Sequence, residues 1–111
     1  MFPKKSRLPG PEMGRIFSKT FSSTHFLLKS RENTGNNNRF AIIISNQAVP
    51  KSTRRHFFKR FFANQLKTWP NAGKDCIIIA SPRLESATRE TLISEISAAR
   101  GILFKKDGTI I

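Results

Sequence analysis

The chain has 111 residues and a formal net charge of +13, from twenty Lys and Arg against seven Asp and Glu. Ten Phe and a hydrophobic share of 38% exclude a merely disordered basic tail, and the length suits one domain with a small core. No apolar run approaches the ~20 residues of a membrane span, so the expected partner is a polyanion and not a bilayer.

Residues 1–11 contain Pro3, Pro9, Gly10 and Pro11 and should form an extended basic N-terminal segment. From Glu12 to Lys19, the spacing of Met13, Ile16 and Phe17 predicts a short helix. Thr24 to Lys29 reads as a strand, Asn33 to Asn38 as a loop, and Arg39 to Ser45 as a second strand. Those two strands should pair as a hairpin. After Pro50, Ser52 or Thr53 can cap a helix through about Thr68, stopped by Trp69-Pro70-Asn71-Ala72-Gly73. Asp75-Cys-Ile-Ile-Ile-Ala80 is a continuous β-branched run, the mark of a buried strand. Ser86 should cap a final helix to about Arg100, with Leu92, Ile96 and Ala99 on one face and Gly101 as its stop. In the tail, 105–111, Asp107-Gly108 is a turn signal. The expected architecture is a single α+β domain over 12–104, an α/β sandwich of one sheet with helices packed on it.

Cysteine and histidine narrow the chemistry. Cys76 has no internal partner for a disulfide and reads as a small buried apolar residue. With only His25 and His56 beside it, a four-ligand zinc site is excluded within one chain. The N-terminus is positive but lacks the apolar stretch of a secretory signal. Its acid-poor start has something of a transit peptide's composition; a cytoplasmic chain is the default expectation.

The charge is concentrated. Residues 33–74 hold eight basic residues (Arg39, Lys51, Arg54, Arg55, Lys59, Arg60, Lys67 and Lys74) and no acid. A solvated face normally mixes signs, so this stretch reads as an anion footprint. On a 100° wheel the central helix places Phe57, Phe58, Phe61, Phe62 and Leu66 on one half, expected to face the core. Arg55, His56, Lys59, Arg60 and Lys67 form a basic stripe on the other. Arg54 falls on the apolar arc, but in the first turn, where a long side chain still reaches solvent. Arg and Lys along a helix suit phosphates. If about six phosphates are neutralised, single-strand affinity should fall with a log–log salt slope of roughly −4.

At these residues the chain resembles the bacterial ribonuclease P protein family. That family carries Arg-Asn-Arg-x-Lys-Arg on its central helix after a strand ending near Ser-Lys-Lys. Arg55-His56-Phe57-Phe58-Lys59-Arg60 and Ser45-Asn46-Gln47 align with these without a gap. Pro3-Lys-Lys-Ser-Arg-Leu8 resembles the usual start, Met13-Gly-Arg-Ile-Phe17 the first helix, and Asp75-Cys-Ile-Ile-Ile-Ala80 the later strand. His56 stands where the family has Asn, Phe57 where it has a second basic residue, and Asn46 and Gln47 where it has lysines.

The resemblance implies a left-handed βαβ crossover through the central helix. It implies a subunit of the endoribonuclease that removes the 5′ leader of precursor tRNA, with no catalytic or metal-binding residue on this chain. Cleavage would belong to a catalytic RNA subunit and its Mg²⁺. The partners would be that RNA and the leader, met by a monomeric protein in a ribonucleoprotein. Lys51, Arg54, Arg55, His56, Lys59, Arg60 and Lys67 would contact RNA, and Met13, Phe17, Phe26 and Phe40 would line a leader cleft between helix and sheet. Two alternatives stay open. One is a ribosomal or general RNA-binding protein on a similar fold. The other is a protein-only ribonuclease using His25 and His56 as base and acid.

Overall fold

A strand buried on both faces and hydrogen-bonded along both edges needs an unbroken apolar sequence, and one segment of this chain has it. In the computed structural model, which describes residues 6–10, 17–33 and 35–104, that segment is the centre of the sheet. The strands are β1 (Lys19–Ser22), β2 (Phe26–Glu32), β3 (Arg39–Ile43) and β4 (Lys74–Ala80), in the order β1-β2-β4-β3. β4 pairs antiparallel with β2, Leu28 opposite Ile78, and parallel with β3, Phe40 opposite Cys76. Among the described residues two α-helices pack with the sheet, α1 (Ser52–Leu66) between β3 and β4, and α2 (Arg89–Leu103) after β4. The βαβ crossover is present, since adjacent parallel strands cannot be joined by a tight turn.

The expected hairpin of β2 with β3 does not form, because β4 lies between them. The Asn-rich segment between β2 and β3 docks instead on the chain entering β4. Buried Asn38 donates to the Pro70 carbonyl and accepts from the amides of Ala72 and Lys74. The Asn33 amide donates to the Gly73 carbonyl at 2.7 Å. Gly73 has φ +67°, and a Cβ there would collide with the Gly35 carbonyl oxygen. Only glycine fits that crossing.

Side chains alternate across the strands, so Phe26, Leu28, Phe40, Cys76 and Ile78 share the helix-covered face. Against them α1 packs Phe58, Phe61, Phe62, Ala63 and Leu66. Phe26 and Phe62 meet edge to face at 5.4 Å. Burial of each such side chain contributes about 1.5–3 kcal/mol. Phe57 departs from expectation: it is 47% exposed, because it sits at the rim of the apolar arc and the sheet lies under its neighbour Phe58.

The helix ends also differ. Lys51 is the N-cap of α1 with no side-chain cap bond, so neither Ser52 nor Thr53 caps it. Thr88, not Ser86, caps α2, accepting from the Thr91 amide at 3.1 Å, while Ser86 ends a short 3-10 turn (Leu84–Ser86). α2 passes through Gly101, since burial of Leu103 holds a further turn beyond it. Leu92, Ile96 and Ala99 are buried as the wheel predicts.

Near the N-terminus, Leu8 is buried and its amide donates to the Phe40 carbonyl at 3.0 Å, so this piece of the basic segment runs beside β3. The predicted first helix lies largely in residues 11–16, outside the described residues. It does not reach Lys19, which pairs in β1. The turn at Asp107-Gly108 also lies outside them.

Candidate nucleic-acid interface

The acid-free stretch of sequence is not acid-free in space. Lys74 pairs with Glu32, Arg39 with Asp75, and Arg54 with Glu85 at 3.5 Å. Arg54 also lies over the rings of Phe57 and Phe58, 5.2 and 4.8 Å from their centroids. Arg55 donates to the Val49 and Pro50 carbonyls, both at 2.8 Å, so its guanidinium anchors the entry to α1. Lys51, Lys59, Arg60 and Lys67 have no ion-pair partner among the described residues. Lys51, His56, Arg60 and Lys67 are exposed and Lys59 is half-buried. α1, with Lys51 as its N-cap and Lys67 as its C-cap, therefore carries the uncompensated charge of this stretch. A continuous helix holds these cations at fixed spacings, which a phosphate backbone can meet.

A second surface is the sheet face turned away from the helices. Leu27, Lys29 and Arg31 of β2, Arg39, Ala41 and Ile43 of β3, and Asp75, Ile77 and Ile79 of β4 alternate onto it. Its polar centre is Asp75, fully buried. Arg31 donates to it through Nε at 3.0 Å and Nη2 at 2.8 Å, Arg39 through Nε and Nη2 at 2.8 Å, and Asn33 at 2.9 Å. Burial raises the pKa of this carboxyl, but the hydrogen bonds from Arg39, Asn33 and Arg31 outweigh it and hold it below its usual value of 3.8.

Of the expected cleft residues, Phe17 is placed at this face, half-buried with its ring 4.7 Å from the Arg31 guanidinium. Phe26 and Phe40 are corrected to core residues, 1% and 5% exposed, because their register turns them under the helices. Phe40 packs on Trp69 at 6.1 Å. Met13 lies outside the described residues. Lys29 and Arg31 precede the acid-free stretch in sequence and carry no site assignment there. The alternation Leu27, Lys29, Arg31 was the available signal, since a charged series at every second strand position marks one face.

His25 is nearly buried, with Nδ1 2.6 Å from Glu95 Oε2, while Ser23 Oγ donates to Glu95 Oε1 at 2.7 Å. This cluster ties the β1–β2 turn to α2. His56 stands exposed on α1, and no contact joins the two histidines. The structure therefore offers no paired acid and base built from them. Cys76 is buried on β4, and burial pushes its thiol up to about 11, leaving it unreactive at neutral pH.

The profile of the family described as Ribonuclease P matches residues 2–103. The chain belongs to the ribonuclease P family. Solved structures agree in fold. The RNase P protein from Thermotoga maritima in complex with 1-(4-fluorophenyl)-2-thiourea superposes with a TM-score of 0.62 at 20% identity, over 73% of this chain and 81% of that one. The Staphylococcus aureus RNase P protein gives 0.61 at 20% identity, over 73% and 80%. A Staphylococcus aureus RNase P protein mutant with defective mRNA degradation activity gives 0.62 at 19%, over 74% and 75%. No curated protein matches the sequence. The chain is a protein subunit of ribonuclease P, and its work is tRNA processing within a ribonucleoprotein.

Proposed function

We propose that the outward face of α1 docks on the catalytic RNA of ribonuclease P, while the sheet face turned away from α1 and α2, beside Phe17, takes the single-stranded 5′ leader of precursor tRNA. The observation that carries this is the set Lys51, Lys59, Arg60 and Lys67, uncompensated by any acid among the described residues. On the sheet, half-buried Lys29 would hold a phosphate, and Phe17 would meet bases by stacking.

Hydrolysis is assigned to the RNA subunit and its Mg²⁺. Among the described residues every Asp and Glu except Glu90 is already paired with a cation or with His25. No group of three metal-ligating side chains converges there. These residues do not fit a magnesium site. No helix among them is long and apolar enough to cross a membrane. We place the complex in the cytoplasm with one copy of this chain.

The test is precursor-tRNA cleavage at low Mg²⁺ with the cognate catalytic RNA alone, the protein alone, and both together. Cleavage at the mature 5′ end greatly enhanced in the mixture is the expected result. Tight RNA binding without enhancement would move the assignment to a general RNA-binding protein. Four phosphate contacts predict a log–log salt slope of about −3 to −4 for binding. Arg60→Ala and Lys67→Ala should each flatten it by roughly 0.7–0.9.

A further inference from the structure

A phenylalanine on the outward rim of a basic helix calls for an explanation that core packing does not supply. Phe58, Phe61 and Phe62 are buried, but Phe57 leaves 47% of its surface open. It is the only aromatic among the exposed large hydrophobic side chains of the described residues. Its ring is nonetheless held in place. Phe58 meets it edge to face at 5.4 Å and 74°, and the Arg54 guanidinium lies 5.2 Å from its centroid. Arg60 follows it by one helical turn and His56 adjoins it in sequence; α1 itself contains no acidic residue, and Glu85 reaches Arg54 from outside the helix.

We propose that Phe57 is a stacking platform for an unpaired base of the catalytic RNA, with Arg54 behind the ring and Arg60, one helical turn on, at a flanking phosphate. This rests on the assignment of α1 to that RNA. A planar apolar ring on a helix rim with an exposed arginine a turn away matches a nucleotide, which joins an aromatic face to an anionic backbone. A hydrophobic protein surface would instead have to desolvate His56 and Arg60 around a single ring, without gain for them. Because Phe58 and Arg54 already fix the ring, little rotamer freedom remains to be lost on binding. Arg54, itself 3.5 Å from Glu85, backs the ring by a cation–π contact.

The experiment measures equilibrium binding of the full chain to the cognate catalytic RNA across a salt series. Wild type is compared with Phe57→Ala, Phe57→Leu, Phe57→Trp and Arg60→Ala, each checked for native helix content by circular dichroism. Removing one base stack should weaken binding roughly 5- to 150-fold in Phe57→Ala. The salt slope should not change, because a stack releases no counterions. Phe57→Leu should be as weak as Phe57→Ala, and Phe57→Trp should match or exceed wild type. In Phe57→Trp, emission from the new indole should quench on RNA binding, while that of buried Trp69 stays in place as the internal control. Wild-type affinity in Phe57→Ala, or in Phe57→Leu, would overturn the stacking assignment. If Arg60→Ala flattens the slope in that case, the docking of α1 survives alone. Failure of wild type to bind the RNA would overturn both.

Discussion

Replacing Asp75 tests whether the polar centre of the sheet face turned away from α1 and α2 holds the fold as its geometry implies. Asp75 is fully buried and accepts from Arg31, Arg39 and Asn33, which reach it from β2, β3 and the segment between them. Its removal takes from Arg31 and Arg39, whose side chains are only 12% and 29% exposed, a carboxylate that each meets through two nitrogens. Breaking a buried ion pair from one side costs about 3–5 kcal/mol. The partial exposure of Arg39 lets water return to it, so the low end, about 3 kcal/mol, applies to Asp75→Ala. That is a large part of the 5–15 kcal/mol that stabilises a typical domain. At 4–8 °C per kcal/mol for a chain of this size, the midpoint should fall by roughly 12–24 °C in a calorimetric or circular-dichroism melt.

The same residue predicts a pH dependence. The folded carboxyl lies below its usual pKa of 3.8, so its contribution is complete above the unfolded value and is lost as pH falls through the folded one. The stability gap between wild type and Asp75→Asn should therefore be full at pH 7 and shrink below about pH 4. A midpoint for Asp75→Ala within about 3 °C of wild type would refute the cluster's structural role, since that is under 1 kcal/mol. A gap to Asp75→Asn that stays constant down to pH 2 would refute the charge assignment.

Two further outcomes follow from the same region. Gly73→Ala should lose at least about 2 kcal/mol in urea unfolding, because a left-handed residue with a Cβ is strained and this one also meets the Gly35 carbonyl; wild-type stability would show that the crossing relaxes freely. Cys76 should react with a disulfide reagent at pH 8 only as fast as the chain unfolds, given burial and a thiol pushed up to about 11; rapid labelling of the native protein would refute it.

Local chemistry was legible wherever one segment decided its own fate. The Ile77-Ile78-Ile79 run could only be a central strand, and the Leu92, Ile96 and Ala99 stripe could only be a buried helix face. Partner choice was not legible. Asn33 to Asn38 has the composition of a hairpin turn, and what prevents the hairpin is distant: Asn38 satisfies backbone groups at 70–74, and Asp75 collects arginines from both neighbouring strands. Alternation placed Phe26 and Leu28 together but did not say which sheet face the helices cover. That is why Phe26 and Phe40 were expected at a cleft and lie in the core. For Phe57 the wheel gave a half-circle, whereas the sheet beneath α1 covers less than that.

The distribution of charge also limits how this protein can distinguish one RNA from another. Half of the eight cations in the acid-free stretch are engaged within the fold, three by acids and Arg55 by carbonyls. The remaining four lie on α1 and its caps, where any phosphate backbone can meet them, and phosphate contacts fix position without reading sequence. Selectivity must then come from groups that respond to the shape and unpaired bases of the RNA. The described residues offer such groups at two places, Phe57 on the rim of α1 and Phe17 beside Arg31 on the sheet face turned away from α1 and α2. Each ring has an arginine against it that holds it as a preformed stacking surface. A chain with its lysines and arginines intact but both rings removed should still bind RNA with the same salt slope, and should no longer prefer its own.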